Sequence, residues 1–326
     1  MTTRHHGHRL AATVAAALTL AGLVGVAPAQ AAQTTNPNAS YLVVYDNNVE
    51  NMLSPTDCPD TNPDKNDFEK LFAYIKAQPY SPDVFTVQQI SNQAKLDALT
   101  QRMTTELPGT YKSVIAIANP NSGDTSTGAC TKQHQTNAVV YRSDRLTVRS
   151  TLTWRSDSPG DQEDSVGPCR NNEGGFQERT ENVAVRLTDN LAKKAVIVAS
   201  VHWPTKKSSN GPLCAGENIT EVNDRTAELG TKILTIVGGD TNARVTQGRE
   251  PWGAKAQKLG FKDGYGFRDA CGSASCNAPG TFTDGRRIDF LLSKGGPDIT
   301  NPVTISRAAA GGRYSDHLAL KVSVKY

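Results

Sequence analysis

The sequence predicts a single α/β domain, and three observations support this fold class. Short runs of β-branched and apolar residues alternate with stretches in which apolar residues recur every three or four positions. Turn residues separate these runs, and the sequence contains no internal repeat, low-complexity tract or linker. Removal of an N-terminal segment from the 326 residues leaves about 295, which is enough for one large core.

The first 31 residues have the pattern of a removable export signal. Arg4 and Arg9 form a positive region, residues 10–26 are apolar, and the triplet at 29–31 matches a small-x-small cleavage site. We expect cleavage after residue 31, a flexible N-terminus over 32–40, one domain over 41–326, and a secreted, extracellular protein. No later stretch reaches the roughly 18 apolar residues that a membrane span needs, so no transmembrane segment is predicted.

Net charge limits the partners that the protein can attract. The formal charge of +3 falls to about +1 when the two signal arginines are removed. Such a balance creates no strong field for a polyanion, so binding to nucleic acid would depend on local patches. The signal also removes three histidines, and those that remain are His134, His202 and His317.

Six cysteines suit an oxidising compartment and predict up to three disulfides. Cys271 and Cys276 enclose a short loop and form the predicted pair. Zinc-like spacing is absent, so the cysteines are interpreted as structural. The sequence leaves open how the other four pair, and these are Cys58, Cys130, Cys169 and Cys214.

The N-terminal half of the domain alternates strands with amphipathic helices. Asn66 is a candidate cap for the first of the two predicted helices, and apolar residues recur along both at helical spacing. Asp83 is interpreted as a turn residue before the second strand. The predicted strands cover residues 41–45, 84–88, 111–118 and 137–142, with a weaker one at 145–154, and the helices cover 66–78 and 92–107.

The C-terminal half continues the same alternation. A turn at 188–190 joins two runs of apolar residues, and this pattern predicts a β-hairpin. The strand that starts at Ile233 ends in Gly238 and Gly239, which allow a turn and leave room for a ligand. The predicted elements are strands at 182–187, 195–201, 233–237, 287–293 and 318–325, and helices at 221–231 and 251–259.

Polar residues follow several of these strands directly. Open α/β sheets bind ligands beyond the carboxyl ends of their strands, although Asp and Asn there are also common turn residues. Hydrolysis of a phosphate ester requires oxygen ligands for a hard cation, a base for water and donors for the developing charge. The candidate residues are Asn48, Gln89, His202, Asp240, Asn242, Asp289, Asp316 and His317.

Seven short motifs in order give the chain a resemblance to the endonuclease/exonuclease/phosphatase superfamily. They are Asn-Val-Glu-Asn at 48–51, Pro-Asp-Val-Phe-Thr-Val-Gln-Gln at 82–89, Ser-Val-His at 200–202, Gly-Asp-Thr-Asn at 239–242, Gly-Phe-Lys-Asp at 260–263, Thr-Phe at 281–282 with Arg-Ile-Asp-Phe at 287–290, and Ser-Asp-His at 315–317. The resemblance covers nearly the whole mature chain. It implies a four-layer α/β/β/α sandwich of two packed mixed β-sheets, with the active site at the rim where loops converge.

The resemblance also implies roles for five catalytic residues. His317 would be the base or the electrostatic partner, and Asp289 would orient it through a ring N–H. Asp240 would help to activate water, and Asn242 would hold a phosphate oxygen. His202 would donate to the phosphate or protonate the leaving group.

A divalent cation, Mg²⁺ or similar, would lie near Asn48, Gln89 and Asp316. The family has a glutamate where this chain has Gln89. Glutamine keeps a carbonyl oxygen but carries no negative charge, which weakens the binding of a hard cation. Three outcomes stay open: a weakly bound cation, catalysis without a cation, or a catalytically silent ligand-binding module.

The leading functional prediction is a secreted phosphodiester hydrolase, and the simplest form is an extracellular nuclease that acts as a monomer. The alternatives within the fold are a sphingomyelinase-like phospholipase C and a phosphomonoesterase. Nucleic acid is therefore the favoured partner, and a phospholipid head group is the second. A lipid-active enzyme would need exposed aromatic residues, for which Trp154 and Trp203 are the candidates.

Overall fold

In the computed structural model, two six-stranded β-sheets pack face to face, and helices cover their outer faces. This α/β/β/α sandwich confirms the predicted fold class. Residues Gln33–Tyr326 form one compact unit. The structure describes residues 32–50, 67–120, 135–156, 180–204, 214–248, 250–271, 273, 277–309, 311–312 and 314–326.

The first sheet has the strand order β11-β12-β1-β2-β4-β3. Strands β1 and β2 are parallel, and the other neighbours are antiparallel. Its strands are β1 (Tyr41–Asn48), β2 (Val84–Ile90), β3 (Tyr111–Ile115), β4 (Thr136–Arg142), β11 (Ile299–Thr304) and β12 (Leu320–Lys325).

The second sheet repeats this plan with the order β5-β6-β7-β8-β10-β9. Here β7 and β8 form the parallel pair, and the remaining neighbours are antiparallel. Its strands are β5 (Leu146–Arg155), β6 (Glu181–Asp189), β7 (Lys194–His202), β8 (Leu234–Asp240), β9 (Lys262–Asp263) and β10 (Asp289–Lys294).

Four helices in the described residues complete the sandwich. They are α1 (Asp67–Lys76), α2 (Gln93–Glu106), α3 (Ala215–Glu228) and α4 (Trp252–Lys258). Helix α2 begins as predicted, because the Asn92 side chain accepts a hydrogen bond from the Lys95 N–H at 2.9 Å. Among the described residues, no helix is both long and apolar enough to cross a bilayer.

Three apolar layers separate the four layers of secondary structure. Helices α1 and α2 pack on the first sheet, and α3 and α4 pack on the second. Alternate residues of β1 show the division: Val43 and Tyr45 face the helices, whereas Leu42 and Val44 face the other sheet. Both faces of the central strands are therefore apolar, which explains their nearly continuous hydrophobic runs.

Gly238 and Gly239 leave room for neighbouring strands rather than for a ligand. A Cβ at Gly238 would lie 2.0 Å from Thr86 Oγ1 on the facing sheet, and one at Gly239 would lie 2.0 Å from the Val201 carbonyl oxygen. Gly238 thus permits close packing of the two sheets directly beneath Asp240, and Gly239 permits the close approach of β7 within its own sheet.

Helix α3 and strand β11 differ from the predicted elements. Helix α3 begins at Ala215, six residues before the predicted start, and ends at Glu228. Strand β11 was not predicted; it is an edge strand with an irregular register, where Pro302 is tolerated. Thr34 forms backbone hydrogen bonds with Pro79 and Ser81, and the flexibility expected over residues 32–40 stays a prediction.

A buried ionic network joins the two sheets at the ends of β4 and β6. Arg145 lies 3.0 Å from Asp83 and 2.8 Å from Asp189. Arg142 also lies 3.0 Å from Asp83, and the Tyr326 hydroxyl donates to Asp189 at 2.7 Å. Asp83 is therefore the centre of a buried ion network and not only a turn residue.

Some sequence predictions concern residues outside the described ranges. The export signal over 1–31 is one of them, and it stays a prediction. The Cys271–Cys276 pairing also stays a prediction, because only the first member is described. Neither described cysteine, Cys214 or Cys271, is a free thiol. The others, Cys58, Cys130, Cys169 and Cys276, lie outside the described residues.

Candidate active site

Three neighbouring strands of the second sheet place polar side chains in a row. In the β7–β8 register His202 lies opposite Asp240, and in the β8–β10 register Asp240 lies opposite Asp289. Residues that are opposite one another on adjacent strands share a face of the sheet. The row occupies the face that Gly238 turns toward the first sheet, and all three side chains are buried.

His317 completes the row and is paired with Asp289. The His317 Nδ1 atom lies 3.0 Å from both carboxylate oxygens of Asp289. Thr281 Oγ1 accepts the backbone N–H groups of Ile288 and Asp289, each at 3.0 Å, and so fixes the start of β10. The structure thus gives Asp289 the orienting position that the resemblance implies, and it explains the threonine of the Thr-Phe motif.

Asp240 lies at the centre of the cluster. Its Oδ2 atom is 3.0 Å from Asn48 Nδ2, 3.4 Å from His202 Nε2 and 3.5 Å from His317 Nε2. Its Oδ1 atom accepts the Asn242 backbone N–H at 2.8 Å, which is an Asx turn. The turn interpretation of Asp240 is therefore confirmed, and the turn fixes the carboxylate among its neighbours, whereas its catalytic role stays a prediction.

The surrounding carboxylates change the acid–base chemistry of His317. Burial disfavours its charged form, but Asp289, Asp240 and Asp316 favour that form more strongly and raise the pKa of His317 to about 10. Burial raises the pKa of Asp289 to about 6, although His317 opposes the change. At neutral pH the pair is an imidazolium and a carboxylate, so His317 is suited to be an electrostatic partner rather than a base.

The C-terminal turn that carries His317 is attached to the end of β1. Ser315 Oγ donates to the Asn48 carbonyl at 2.6 Å and accepts the His317 N–H at 3.1 Å. A Glu50 carboxylate oxygen accepts the Asp316 N–H at 2.8 Å. Sequence reasoning missed these two supporting residues, although both belong to the motifs that carried the resemblance.

Asn242 lies at the edge of the cluster in a left-handed backbone conformation, with φ of 51°. Its side-chain amide donates to the Trp203 carbonyl at 2.8 Å, which ties this loop to the residue after His202. One of its two amide protons is therefore used within the protein, and the other is available to a phosphate oxygen.

Arg287 and Asp263 explain two further motif positions. They form a buried bidentate ion pair with N–O distances of 2.6 and 2.8 Å. The guanidinium carbon also lies 4.2 Å from the Phe290 ring centroid. This pair connects β9 to the residue immediately before Ile288 and Asp289, so its role is to position β10 rather than to bind substrate.

Gln89 occupies a strained position at an irregularity in β2. Its φ is 57°, and the β2–β4 register breaks between Val87 and Ile90. The side-chain oxygen accepts a hydrogen bond from Gln135 Nε2 at 3.1 Å. The adjacent Gln88 points between the sheets instead and donates to Asp46 and Ser200.

The predicted cation ligands make a weak set. Asn48 Oδ1 accepts the Glu50 N–H at 3.1 Å, and the oxygen of Gln89 is occupied by Gln135. The only carboxylate among these three predicted ligands is that of Asp316, and it lies 3.6 Å from His317 Nε2. One carboxylate and two hydrogen-bonded amides fit a hard divalent cation poorly.

A different group has donor atoms that suit a metal ion. One ligand atom from each of Asp240, Asp289 and His317 lies within 4.8 Å of the others. A cation on this group would need the neutral imidazole, so it would compete with the proton that the carboxylates hold on His317.

A further carboxyl group, that of Asp46, lies below the cluster, on the same face of β1 as Asn48. Asp46 is fully buried and accepts hydrogen bonds from Thr86 Oγ1 at 2.6 Å and Gln88 Nε2 at 2.9 Å. Burial raises the pKa of Asp46 well above its usual range, and the charges of Asp289 and Asp240 act in the same direction. The polar network therefore extends from the rim into the space between the sheets.

No protein-family model matches this chain. No curated protein sequence matches it either. The similarity to known proteins is therefore a similarity of structure.

Several solved structures resemble the chain over most of its length at low sequence identity. An endonuclease/exonuclease/phosphatase from Beutenbergia cavernae has a TM-score of 0.62 and 15% identity, over 88% of this chain and 72% of that one. A mannosyl-6-phosphatase from Bacteroides thetaiotaomicron has a TM-score of 0.54 and 17% identity, over 87% and 100%. TDP2 from D. rerio, complexed with a single strand DNA product, has a TM-score of 0.54 and 14% identity, over 88% and 100%. The chain therefore has the endonuclease/exonuclease/phosphatase fold.

Proposed function

We propose that this protein is a secreted phosphodiester hydrolase that cleaves nucleic acid. One observation carries the proposal: Asp240 is surrounded by Asn48, His202 and His317 at 3.0 to 3.5 Å, and His317 is paired with Asp289. The cluster combines a proton acceptor, a positive charge and neutral donors at the rim of the sandwich. Hydrolysis of a phosphate ester requires these three components.

The chemistry follows from the positions of these groups. Asp240 accepts a proton from water as the water oxygen bonds to phosphorus. The His317 imidazolium and the Asn48 amide stabilise the negative charge that develops on the phosphate oxygens. His202 donates to the phosphate or protonates the ester oxygen that leaves. A divalent cation held by Asp240, Asp289 and His317 would take the place of the imidazolium proton and would supply positive charge to the phosphate when bound.

The structural neighbours support this choice at the level of the fold. One neighbour is a phosphatase and another was solved with a DNA product. One fold supports many functions, so the substrate class rests on the site of this chain. Secretion rests on the sequence pattern of residues 1–31.

The described aromatic residues favour nucleic acid over a phospholipid. Trp154 and Trp203, the candidates for contact with a lipid surface, are only 5% and 1% exposed. Trp203 packs edge-on against Trp252, with ring centroids 5.3 Å apart, in the core under α3 and α4. Among the described residues, the exposed large apolar side chains are Leu191 and Val303, which do not form an aromatic surface.

The function is tested with four substrates: plasmid DNA, an RNA oligonucleotide, phosphatidylcholine vesicles and a phosphomonoester. Each is incubated with the protein lacking residues 1–31, in Mg²⁺ and in chelator. Nicking of DNA or cleavage of RNA supports the proposal. Release of phosphocholine, or of phosphate from the monoester, would assign a different member of the fold. If neither the wild type nor Gln89→Glu hydrolyses any of the four substrates, the proposal is wrong and the protein is a catalytically silent binding module.

Gln89→Glu is expected to raise the affinity for Mg²⁺ by about tenfold, because a carboxylate replaces a neutral ligand of similar shape. Glutamate can still accept the hydrogen bond from Gln135 Nε2. Affinity is measured by titration calorimetry and by the Mg²⁺-dependent rise in Tm. Gln101→Glu is the matched control, since it adds the same charge on the exposed surface of α2. Equal Mg²⁺ affinity in Gln89→Glu and wild type would show that position 89 does not face a cation site.

The pH dependence of hydrolysis distinguishes the two possible roles of His317. Asp289, Asp240 and Asp316 face its ring and raise its pKa to about 10. If the imidazolium stabilises the phosphate, kcat/KM in chelator is constant through neutral pH and falls as the pH rises through that value. If neutral His317 is the base, kcat/KM instead rises over the same range. Circular dichroism at each pH separates this effect from unfolding.

A further inference from the structure

A short hairpin over residues 281–287 is attached directly to His317. The Thr281 and Phe282 N–H groups donate to the Arg286 carbonyl at 2.8 and 3.0 Å, which closes the hairpin. Two further bonds, Thr283 N–H to the Asp316 carbonyl and Leu318 N–H to the Thr281 carbonyl, join it to the C-terminal turn. The side chains of this 281–287 hairpin are therefore held at fixed positions relative to the catalytic cluster.

The 281–287 hairpin carries a second positive charge next to His317. The Phe282 ring centroid lies 4.8 Å from that of His317, and the Arg286 guanidinium carbon lies 5.3 Å from the same phenyl centroid. Together these distances place the guanidinium at most about 10 Å from the imidazole. Arg286 is also held by Asp284, whose carboxylate accepts from Nε at 2.6 Å.

Arg244, on the loop after β8, contributes to the same patch. Its side chain is exposed. Burial raises the pKa of Asp284, but hydrogen bonds from Arg286 and the charges of Arg286 and Arg244 lower it overall. The charge of Arg244 thus acts on the carboxylate that holds Arg286, and the three groups carry a net charge of +1. A local patch of this kind is what a nearly neutral protein needs to bind a polyanion.

The cluster at His317 accounts for one phosphate, and Arg286 is a separate cation at most about 10 Å from the imidazole. Arginine binds phosphate oxygens through two parallel N–H donors. In a nucleic acid, a phosphate bound at His317 has a neighbour one nucleotide along the strand. A phosphatidylcholine molecule has a single phosphate and offers nothing to a second cationic site.

We propose that Arg286 binds the phosphate next to the one that is hydrolysed in a nucleic-acid strand. This subsite rests on the proposed function. It adds to that function the requirement that the substrate has consecutive phosphates. Asp284 holds Arg286 in place, and Phe282 sets the distance between the two cations.

The test compares a substrate that has one phosphodiester with a substrate that has many. For each variant, kcat/KM is measured on bis(p-nitrophenyl) phosphate and on a single-stranded DNA of about ten nucleotides. The measured quantity is the ratio of kcat/KM for DNA to kcat/KM for bis(p-nitrophenyl) phosphate. Arg286→Ala is expected to lower this ratio about tenfold. The slope of log KM for DNA against log salt falls by about 0.7, the value for one lost phosphate contact. Arg286→Lys restores part of the ratio, and Arg244→Ala lowers it less.

Arg149→Ala is the matched control, because Arg149 is an exposed arginine on β5 that contacts Thr188. A ratio unchanged in Arg286→Ala, or lowered equally in Arg149→Ala, would overturn the subsite. Equal losses on both substrates would overturn it too, since Arg286 would then act on the catalytic cluster. If phosphatidylcholine hydrolysis proves to depend on Arg286, the assignment to nucleic acid is wrong.

Failure of the proposed function is distinguishable from failure of the subsite. If the wild type hydrolyses neither substrate, the proposed function is wrong, and the subsite is judged from fluorescence anisotropy of a labelled DNA strand. Weaker binding by Arg286→Ala with a reduced salt slope supports a phosphate contact. Equal binding by Arg286→Ala and wild type overturns it.

Discussion

His317→Ala is expected to reduce kcat for phosphodiester hydrolysis by at least about 100-fold, which is the usual cost of removing one charge-stabilising donor from an active site. The imidazole lies between Asp289 and Asp240, with N–O distances of 3.0 and 3.5 Å. The measurement is the single-turnover rate on saturating DNA, with circular dichroism and Tm as the test of folding. Wild-type turnover in this variant would show that the site is assigned to the wrong residues.

Two companion variants separate chemistry from structure in this experiment. Removal of His317 leaves Asp289 buried without its partner, which can destabilise the protein. His317→Gln keeps a donor for Asp289 but carries no positive charge, so a loss of the same order is expected with a smaller change in Tm. His134→Ala, at the remaining mature histidine, which the sequence predicts to be on the surface, is expected to keep wild-type turnover.

Arg145→Met is expected to lower the free energy of unfolding by about 3–5 kcal/mol, the usual effect of breaking a buried ion pair from one side. Arg145 lies between Asp83 and Asp189, and its side chain is 1% exposed. Methionine can fill much of the space but leaves both carboxylates without this guanidinium. Urea unfolding, followed by circular dichroism at pH 7, measures the change.

Arg149→Met is the control for this prediction. Arg149 is four residues further along, exposed, and makes one hydrogen bond from Nε to Thr188. A change within about 0.5 kcal/mol is expected there. Similar values for the two variants would mean that the Arg145 network contributes little. The double variant Arg145→Met with Asp189→Asn tests the mechanism, because Arg145→Met leaves Asp189 with the Tyr326 hydroxyl but without its ion pair, so removing that charge should recover part of the loss.

The sequence allowed prediction of the site because its information is local. Asp240 and Asn242 follow a buried strand directly, and His202 ends another. Neighbouring parallel strands end at the same edge of a sheet. The hydrophobic periodicity that identifies the strands, together with the turn residues that follow them, is therefore enough to predict that these side chains lie close together. Order along the chain then connected these positions with Asp289 and His317.

Other features depend on contacts that no local pattern records. Asp83 was interpreted as a turn residue, because its partners Arg142 and Arg145 are about 60 positions away. The cationic role of His317 depends on three carboxylates that converge only in the folded state. Strand β11 contains Pro302, and its edge position, which makes the proline tolerable, is a property of the sheet.

The pairing of β1 with β12 has a consequence for when the Asp240 cluster can assemble. Asn48 and His317 are 269 positions apart and come together where Tyr41 and its successors pair with the strand that ends at Lys325. Closing so long a loop costs conformational entropy before the contact forms. Asp240 therefore gains His317 as a neighbour only after the chain has been synthesised through β12. A chain that stops before β12 lacks the complete cluster.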